Sequence, residues 1–554
     1  MGSDITPSLP VVILVLVAAV IAYQRSSRCS VKHIRGPPVS FWRGNIRDFF
    51  YQDNVGDLDF KYAKDYGLVW RLGAPLGEDV LMIADPKVLQ HIFHKSGYNY
   101  LKNTETLIKT NMLFGSSILY TPSGRAHARH RKVMNPAFST SQLRSFLPLF
   151  QHSADKLCHF LGLEVLRLQG DRASTEGQVV AVNKWLSRAT LDIIGETALH
   201  YDFGSLENSK SEVSEAYENM FVESRINPSL LDALFRASWK YMPLLLVEFV
   251  QYLPGRAYSR VRKTRKIIDR VSGGLVDRAT EEAKIVPVEK GKKDVMSVLV
   301  RANLSENPSL RLSKKEMVAQ MGALTFAGHE TTANTLTWML WELAKHPEFQ
   351  EMLRTEIREK REEVKAEGSH VDFSVDDLES MPFLEALIKE VMRFHPIIYQ
   401  LIRIAGQDDT LPLSEPLLTV TGEAIDEIPI AKGQSIMFSI CAYNRIKKIW
   451  GEDADEFNPM RFIENRVEPE FKVGMYGNLM TFSAGLRSCI GWRFSLIEMQ
   501  AVITALIERF EFCLPPKEQG VEVLRKPLGI MGPMVKGRLD LGSLLPLNVK
   551  PLRA

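Results

Sequence analysis

The chain has 554 residues, 45% apolar and 24% charged, a balance that suits a globular protein with a large core. Its net charge of +3 is too small to argue for nucleic acid, and it has no basic arm or basic stripe interleaved with aromatics. Five scattered cysteines (Cys29, Cys158, Cys441, Cys489, Cys513) include no CxxC pair, which argues against zinc and a disulfide framework and fits a reducing compartment.

The stretch from Ile5 to Tyr23 carries no charge. As a helix it would be roughly 28 Å long, close to the thickness of a thin bilayer. Arg25, Arg28, Lys32 and Arg35 follow it, so the positive-inside rule puts the rest of the chain in the cytosol. A cleaved signal peptide would carry its positive charge before the apolar run. The expectation is a transmembrane anchor over 1–24, a basic hinge over 25–40 ending in Gly36-Pro37-Pro38, and one catalytic domain over 41–554.

Strands are predicted at Leu68–Leu72 and Val80–Ile83, and Asp85-Pro86 opens a helix. In the helical run Gly124–Lys132, His127 and Arg131 stand four apart and share one face. The alternative reading of this run is a solvated basic helix face, which is common. The apolar cluster Tyr241–Val250 is too short to span a bilayer. Ser313-Lys314-Lys315-Glu316 is a capping box that starts a helix running to His346, where Pro347 stops it. That helix is apolar on all sides, so it is buried, yet it contains Ala327-Gly328-His329-Glu330-Thr331-Thr332. A glycine, an acid and two hydroxyls are costly in a helix centre unless they have a task. A further helix carries Glu390 and Arg393 and ends at His395-Pro396, and Phe457-Asn458-Pro459-Met460-Arg461-Phe462 lies downstream. Leu528–Met534 reads as a turn between strands.

The most specific signal is Phe482-Ser-Ala-Gly485-Leu-Arg487-Ser-Cys489-Ile-Gly491, followed by a helical run to Phe510. Its five fixed positions would co-occur by chance in such a chain on the order of once in ten thousand. One cysteine sits between two glycines, beside an arginine and before a helix N-terminus, which suits a charge-compensated thiolate. The loop resembles the cysteine-ligand loop of the cytochrome P450 (haem-thiolate monooxygenase) family, and the other motifs occur in that family's order. The resemblance implies a mainly α fold with small β-sheets and a single haem-binding domain behind the anchor.

It also implies roles for residues. Cys489 would be the axial ligand of haem iron, with Phe482, Gly485 and Gly491 shaping its loop. Arg487, Arg403, Arg131 and His127 would face the propionates, His127 standing where the family usually has tryptophan and carrying a charge that depends on pH. Ala327 and Gly328 would line the haem face, and Glu330 with Thr331 would steer protons to dioxygen. His329 lies at the motif's variable position and is expected to be packed or hydrogen-bonded. Glu390, Arg393 and Arg461 would form a buried structural lock. Ala323, Ala327, Thr332, Ile397, Ile398, Tyr399, Gln400, Ile530 and Met531 would line the substrate site.

The implied activity is insertion of one oxygen atom from O2 into a lipophilic terpenoid, sterol, fatty acid or aromatic xenobiotic, as in fungal microsomal members and in secondary metabolism. No Gly-x-Gly-x-x-Gly after a strand is present, so NADPH electrons are expected from a separate reductase, with cytochrome b5 as a second donor, at the endoplasmic reticulum membrane. A reductase-independent haem-thiolate isomerase or dehydratase, and a non-catalytic membrane haem- or sterol-binding protein, are the rival readings. Retention of Glu330-Thr331 argues against both.

Overall fold

The computed structural model describes residues 31–170, 177–207, 212–217, 229–285, 294–304, 311–368, 372–467, 470–516, 518 and 520–552. Five helices position the candidate site: α1 (Gly124–Met134), α2 (Val182–Ile194), α3 (Lys314–Lys345), α4 (Pro382–Phe394) and α5 (Trp492–Arg509). The expected capping box is formed: Ser313 Oγ accepts from the Glu316 N–H, and the Glu316 carboxylate accepts from the Ser313 N–H. The resulting 32-residue helix is about 48 Å long and buries side chains on every face. It packs against α2, α5 and the helix Arg256–Ile285.

Such close packing needs a gap in the α3 surface, and Gly328 supplies it. A Cβ there would lie 2.7 Å from Ile194 Cδ1 of α2. Gly328 was expected on the haem face; the direction a side chain would take from it points instead at Ile194 of the neighbouring helix.

The main sheet has five strands: β1 (Val69–Ala74), β2 (Glu78–Ile83), β3 (Tyr100–Leu101), β4 (Gln400–Ala405) and β5 (Ser435–Ser439), in the spatial order β1-β2-β5-β4-β3. β2 and β5 run parallel and the other pairs antiparallel. The turn predicted over Leu528–Met534 is shorter than expected: Leu528–Ile530 joins the strands Val523–Pro527 and Met531–Val535, which already pair from Met531. Its Met531 N–H donates to the Ile397 carbonyl, which ties this hairpin to the segment leading into β4.

The lock closes as the motif predicted. Arg393 Nε and Nη2 donate to Glu390 Oε2 and Oε1 at 2.7 and 2.8 Å, and Arg461 Nε lies 3.1 Å from Oε2. All three residues are fully buried. The remaining guanidinium protons go to backbone carbonyls of Asn444, Ala454, Asp453, Glu456 and Trp450 and to the Asp453 carboxylate, which pairs with Arg461 at 2.8 Å.

Among the described residues, no helix is long and apolar enough to cross a membrane. The expected anchor at Ile5–Tyr23 lies outside the described residues. In the cluster Tyr241–Val250, Val247 and Val250 are buried while Leu246 and Phe249 are exposed, so the segment is partly core and partly apolar surface.

Candidate haem site

The Cys489 loop is held at both ends. The Cys489 N–H donates to the Phe482 carbonyl at 2.9 Å and Ser488 N–H donates to Gly485 O at 3.1 Å. Gly485 has φ +64°, and a Cβ there would fall 1.8 Å from the Phe93 carbonyl oxygen, so only glycine fits. Gly491 has no such neighbour; its nearest protein atom would be Phe138 Cε1 at 3.8 Å. Among the described residues nothing crowds a side chain at 491, so a glycine there would serve the approach of a flat ligand to the backbone.

Cys489 is solvent-exposed, yet protein surrounds its sulfur closely enough that burial pushes the thiol pKa up. The Gly491 N–H and the Arg131 guanidinium pull in the opposite direction. These two contributions alone do not make a thiolate; a bound metal ion does so directly. Arg131 also fastens the loop, since its Nη1 donates to the Ser488 carbonyl at 3.0 Å.

Four buried or half-buried cations converge beside the loop without a carboxylate in their hydrogen bonds. Arg487 Nη1 donates to Thr121 Oγ1, Arg403 Nη1 to Ile402 O, Arg131 to Ser488 O, and Lys102 Nζ to Leu119 O. Among the described residues, Arg487 Nε and Nη2 are buried with no hydrogen-bond partner. Burial first, then Arg403 and Arg487, hold the Lys102 pKa down to about 7. Burial and Arg487 bring Arg403 down to about 10. A cradle of this kind lacks negative charge, which suits the carboxylates of the haem propionates.

His127 lies in the same cluster, and its Nδ1 is 3.0 Å from Tyr98 Oη. Its charge does not follow ordinary pH. Burial, and then Arg487, Lys102, Arg131 and His130, lower its pKa to about 3, so it is a neutral hydrogen-bonding group here. Sequence reasoning missed Lys102, Tyr98 and Thr121. Each is a single polar residue outside a recognisable motif, and only the fold brings them to Arg487.

On α3, Thr331 Oγ1 donates to the Ala327 carbonyl at 2.7 Å, which leaves its oxygen lone pairs outward. Glu330 is held by Asn334, whose Nδ2 lies 3.3 Å from Oε2, and by His329. His329 is buried and hydrogen-bonded, as expected. Thr332 does not face the substrate side. It is turned into the α3–α5 interface, one step round the helix from Thr331.

The other expected lining residues divide. Ile398 and Gln400 are partly exposed, and Tyr399 and Ile530 retain a little accessibility. Ala323, Ile397 and Met531 are packed in the core, Met531 because it starts a paired strand and bonds Ile397. Gln400 Nε2 points to the buried Asp59, 3.4 Å from its Oδ1.

The family model for cytochrome P450 matches residues 34–540. The chain belongs to the cytochrome P450 family. It is 33% identical to cytochrome P450 monooxygenase 205 of Postia placenta, over 94% of this chain and 93% of that protein. It is 34% identical to cytochrome P450 monooxygenase 81 of the same fungus, over 89% of each chain. Cytochrome P450 monooxygenase claQ of Ampulloclitocybe clavipes is 31% identical, over 93% of this chain and 92% of its own. The protein is therefore a haem-thiolate monooxygenase of fungal type, and it requires O2, an organic substrate and a redox partner.

Proposed function

We propose that the enzyme hydroxylates a lipophilic small molecule with electrons passed from NADPH by a separate membrane-bound flavoprotein reductase. The observation that carries this reading is the presence in one chain of the Cys489 loop and of Glu330 and Thr331 on α3, the two parts needed for oxygen activation with proton delivery. Haem bound there activates dioxygen and supplies the oxidising power.

The chain's own residues do the rest. Cys489 would ligate the iron, and Arg131 steadies its loop through the Ser488 carbonyl. Arg487, Arg403 and Lys102 would neutralise the propionates. His127 stands where the family usually has tryptophan: with Tyr98 Oη donating to Nδ1, Nε2 would carry the ring proton and could donate it to a propionate. Thr331 and Glu330 pass protons. Ile398 and Ile530 contribute apolar contacts to the substrate.

The N-terminal apolar segment supports an endoplasmic reticulum anchor with a cytosolic catalytic domain. Exposed Leu246, Phe249 and Tyr252 form an apolar surface consistent with a lipophilic substrate arriving from the bilayer. The test is substrate-dependent NADPH oxidation with a fungal reductase and a panel of terpenoids, sterols, fatty acids and aromatics. Oxygenated product that requires the reductase supports the reading. Turnover of a hydroperoxide without reductase, and no product with it, would replace monooxygenation by isomerisation.

A further inference from the structure

The helix Leu147–Gln169 carries more apolar surface than the core takes up. Its inner stripe, Ala154, Leu157, Cys158, Leu161 and Val165, is buried. A second stripe, Phe160, Leu163, Glu164, Arg167 and Leu168, follows the helical repeat on another side. Phe160 is partly covered, whereas Leu163 and Leu168 are 47% and 41% exposed.

This second stripe lines a cavity of about 590 Å³. The rest of the lining comes from the strand Gln178–Ala181, from Lys184, Trp185 and Arg188 of α2, and from Leu206 and Glu207. The volume falls within the ~300–1,000 Å³ of small-molecule sites. The cavity is separate from the haem site, and α2 stands between them. Lys184, Trp185 and Arg188 line the cavity, while Thr190 Oγ1 of the same helix donates to the His329 carbonyl of α3 at 3.0 Å.

The lining holds three cations, Arg167, Lys184 and Arg188, against two acids, Glu164 and Glu207. Both acids are engaged. Arg167 Nε and Nη2 donate to the two oxygens of Glu164 at 2.7 and 2.8 Å, and Glu207 lies 3.5 Å from Lys156 Nζ. The formal charge of the lining is therefore positive by one. Arg188 lies over the Trp185 ring, with Cζ 5.0 Å from its centroid. That contact places a planar, forked donor at the border between apolar and charged lining.

We propose that this cavity binds an amphipathic monocarboxylate of the fatty-acid class: the alkyl chain lies along Phe160, Leu163 and Leu168, and Arg188 with Lys184 holds the carboxylate. One negative charge balances the lining, and a dianion would leave an excess. The chain covers the two leucines that the fold leaves in water. A purely structural role explains the Arg167–Glu164 pair; it does not explain exposed leucines beside a tryptophan and two cations on one turn of α2.

The test is equilibrium dialysis of the full-length holoenzyme against radiolabelled dodecanoate below its micelle concentration. Phenylimidazole bound to the iron closes the haem pocket throughout. Wild type is expected to bind one saturable equivalent, and the cation dodecyltrimethylammonium is expected not to compete. Arg188→Gln should weaken dodecanoate at least about tenfold, through loss of a charged hydrogen bond. The double variant Leu163→Gln and Leu168→Gln should weaken it to a similar degree, at positions exposed enough for the fold to tolerate the change. The absorption spectrum of the phenylimidazole complex checks folding and should be the same in all three proteins. Dodecanoate that phenylimidazole displaces sits at the haem, which overturns the proposal. Competition by the cation overturns it too, as does a loss in the leucine variant with none in Arg188→Gln. Absence of saturable binding in wild type overturns it outright.

Discussion

Glu498 of α5 faces Thr332 of α3, and neither the carboxyl nor the hydroxyl completes a hydrogen bond with any other described group. Glu498 is fully buried, and burial raises its pKa well above 4.5, with Thr332 opposing only in part. The group is therefore an uncharged acid in the fold. The folded state binds more protons than the unfolded state above pH 4.5, so stability falls as pH rises until the folded pKa is reached. Glu498→Gln should remove this slope, about 1.4 kcal/mol per pH unit, and should raise neutral-pH stability. Urea denaturation of both proteins across pH 5–8 checks it, and parallel curves would refute it.

The contact of Gly328 with Ile194 makes a second prediction. Gly328→Ala places a methyl 2.7 Å from Ile194 Cδ1 and 2.9 Å from Cγ1. Overpacking of this kind costs about 1–3 kcal/mol. Adding Ile194→Ala removes both offending atoms, so the double mutant should lose less than the sum of the single losses. Additive losses in thermal denaturation would mean that α2 and α3 do not meet as described.

The buried lock should be intolerant of partial removal. Arg461→Ala strands Glu390 and leaves one guanidinium to hold it, a loss of about 3–5 kcal/mol. Arg461→Lys should not rescue it, because one ammonium cannot reproduce contacts to Glu390, Asp453 and three carbonyls. The measurement is the yield of haem-loaded, soluble protein, which should collapse in both variants.

Haem anchoring should depend on Lys102 and on a donor at position 127. Lys102→Met removes one charged hydrogen bond, worth about 1.5–3 kcal/mol, so haem should pass to an acceptor apoprotein roughly 10–100-fold faster. His127→Trp should retain haem better than His127→Phe. With a folded pKa of about 3 against an unfolded 6.5, His127 binds fewer protons in the fold between those values, so its contribution favours folding above pH 6.5 and is lost as pH falls towards 3. Haem release that ignores Lys102 would place the propionates elsewhere.

Much of this was legible in the sequence, for identifiable reasons. Ser313 and Glu316 announce the start of α3 because a capping box is a local hydrogen-bond pattern. Glu390, Arg393 and Arg461 could be paired because their types and order match a motif that the structure closes. Facing directions were less legible. Gly328 and Thr332 stand beside Glu330 and Thr331 in sequence, but the helix turns them towards Ile194 and Glu498, and no local pattern shows which neighbour lies on which side. Lys102 and Tyr98 were invisible for a related reason: their meaning comes from Arg487, nearly four hundred residues away in the chain. Family motifs cover the parts of the site that are local in sequence, and leave the cradle to be found in space.

The most direct measurement is the absorption spectrum of the reduced, carbon monoxide-bound protein, recorded for wild type and Cys489→Ser. The account predicts a strongly red-shifted Soret band in wild type that disappears in the variant. Haem bound by the wild type without that band, or the same band in Cys489→Ser, would contradict Cys489 thiolate as the ligand on which the site is built.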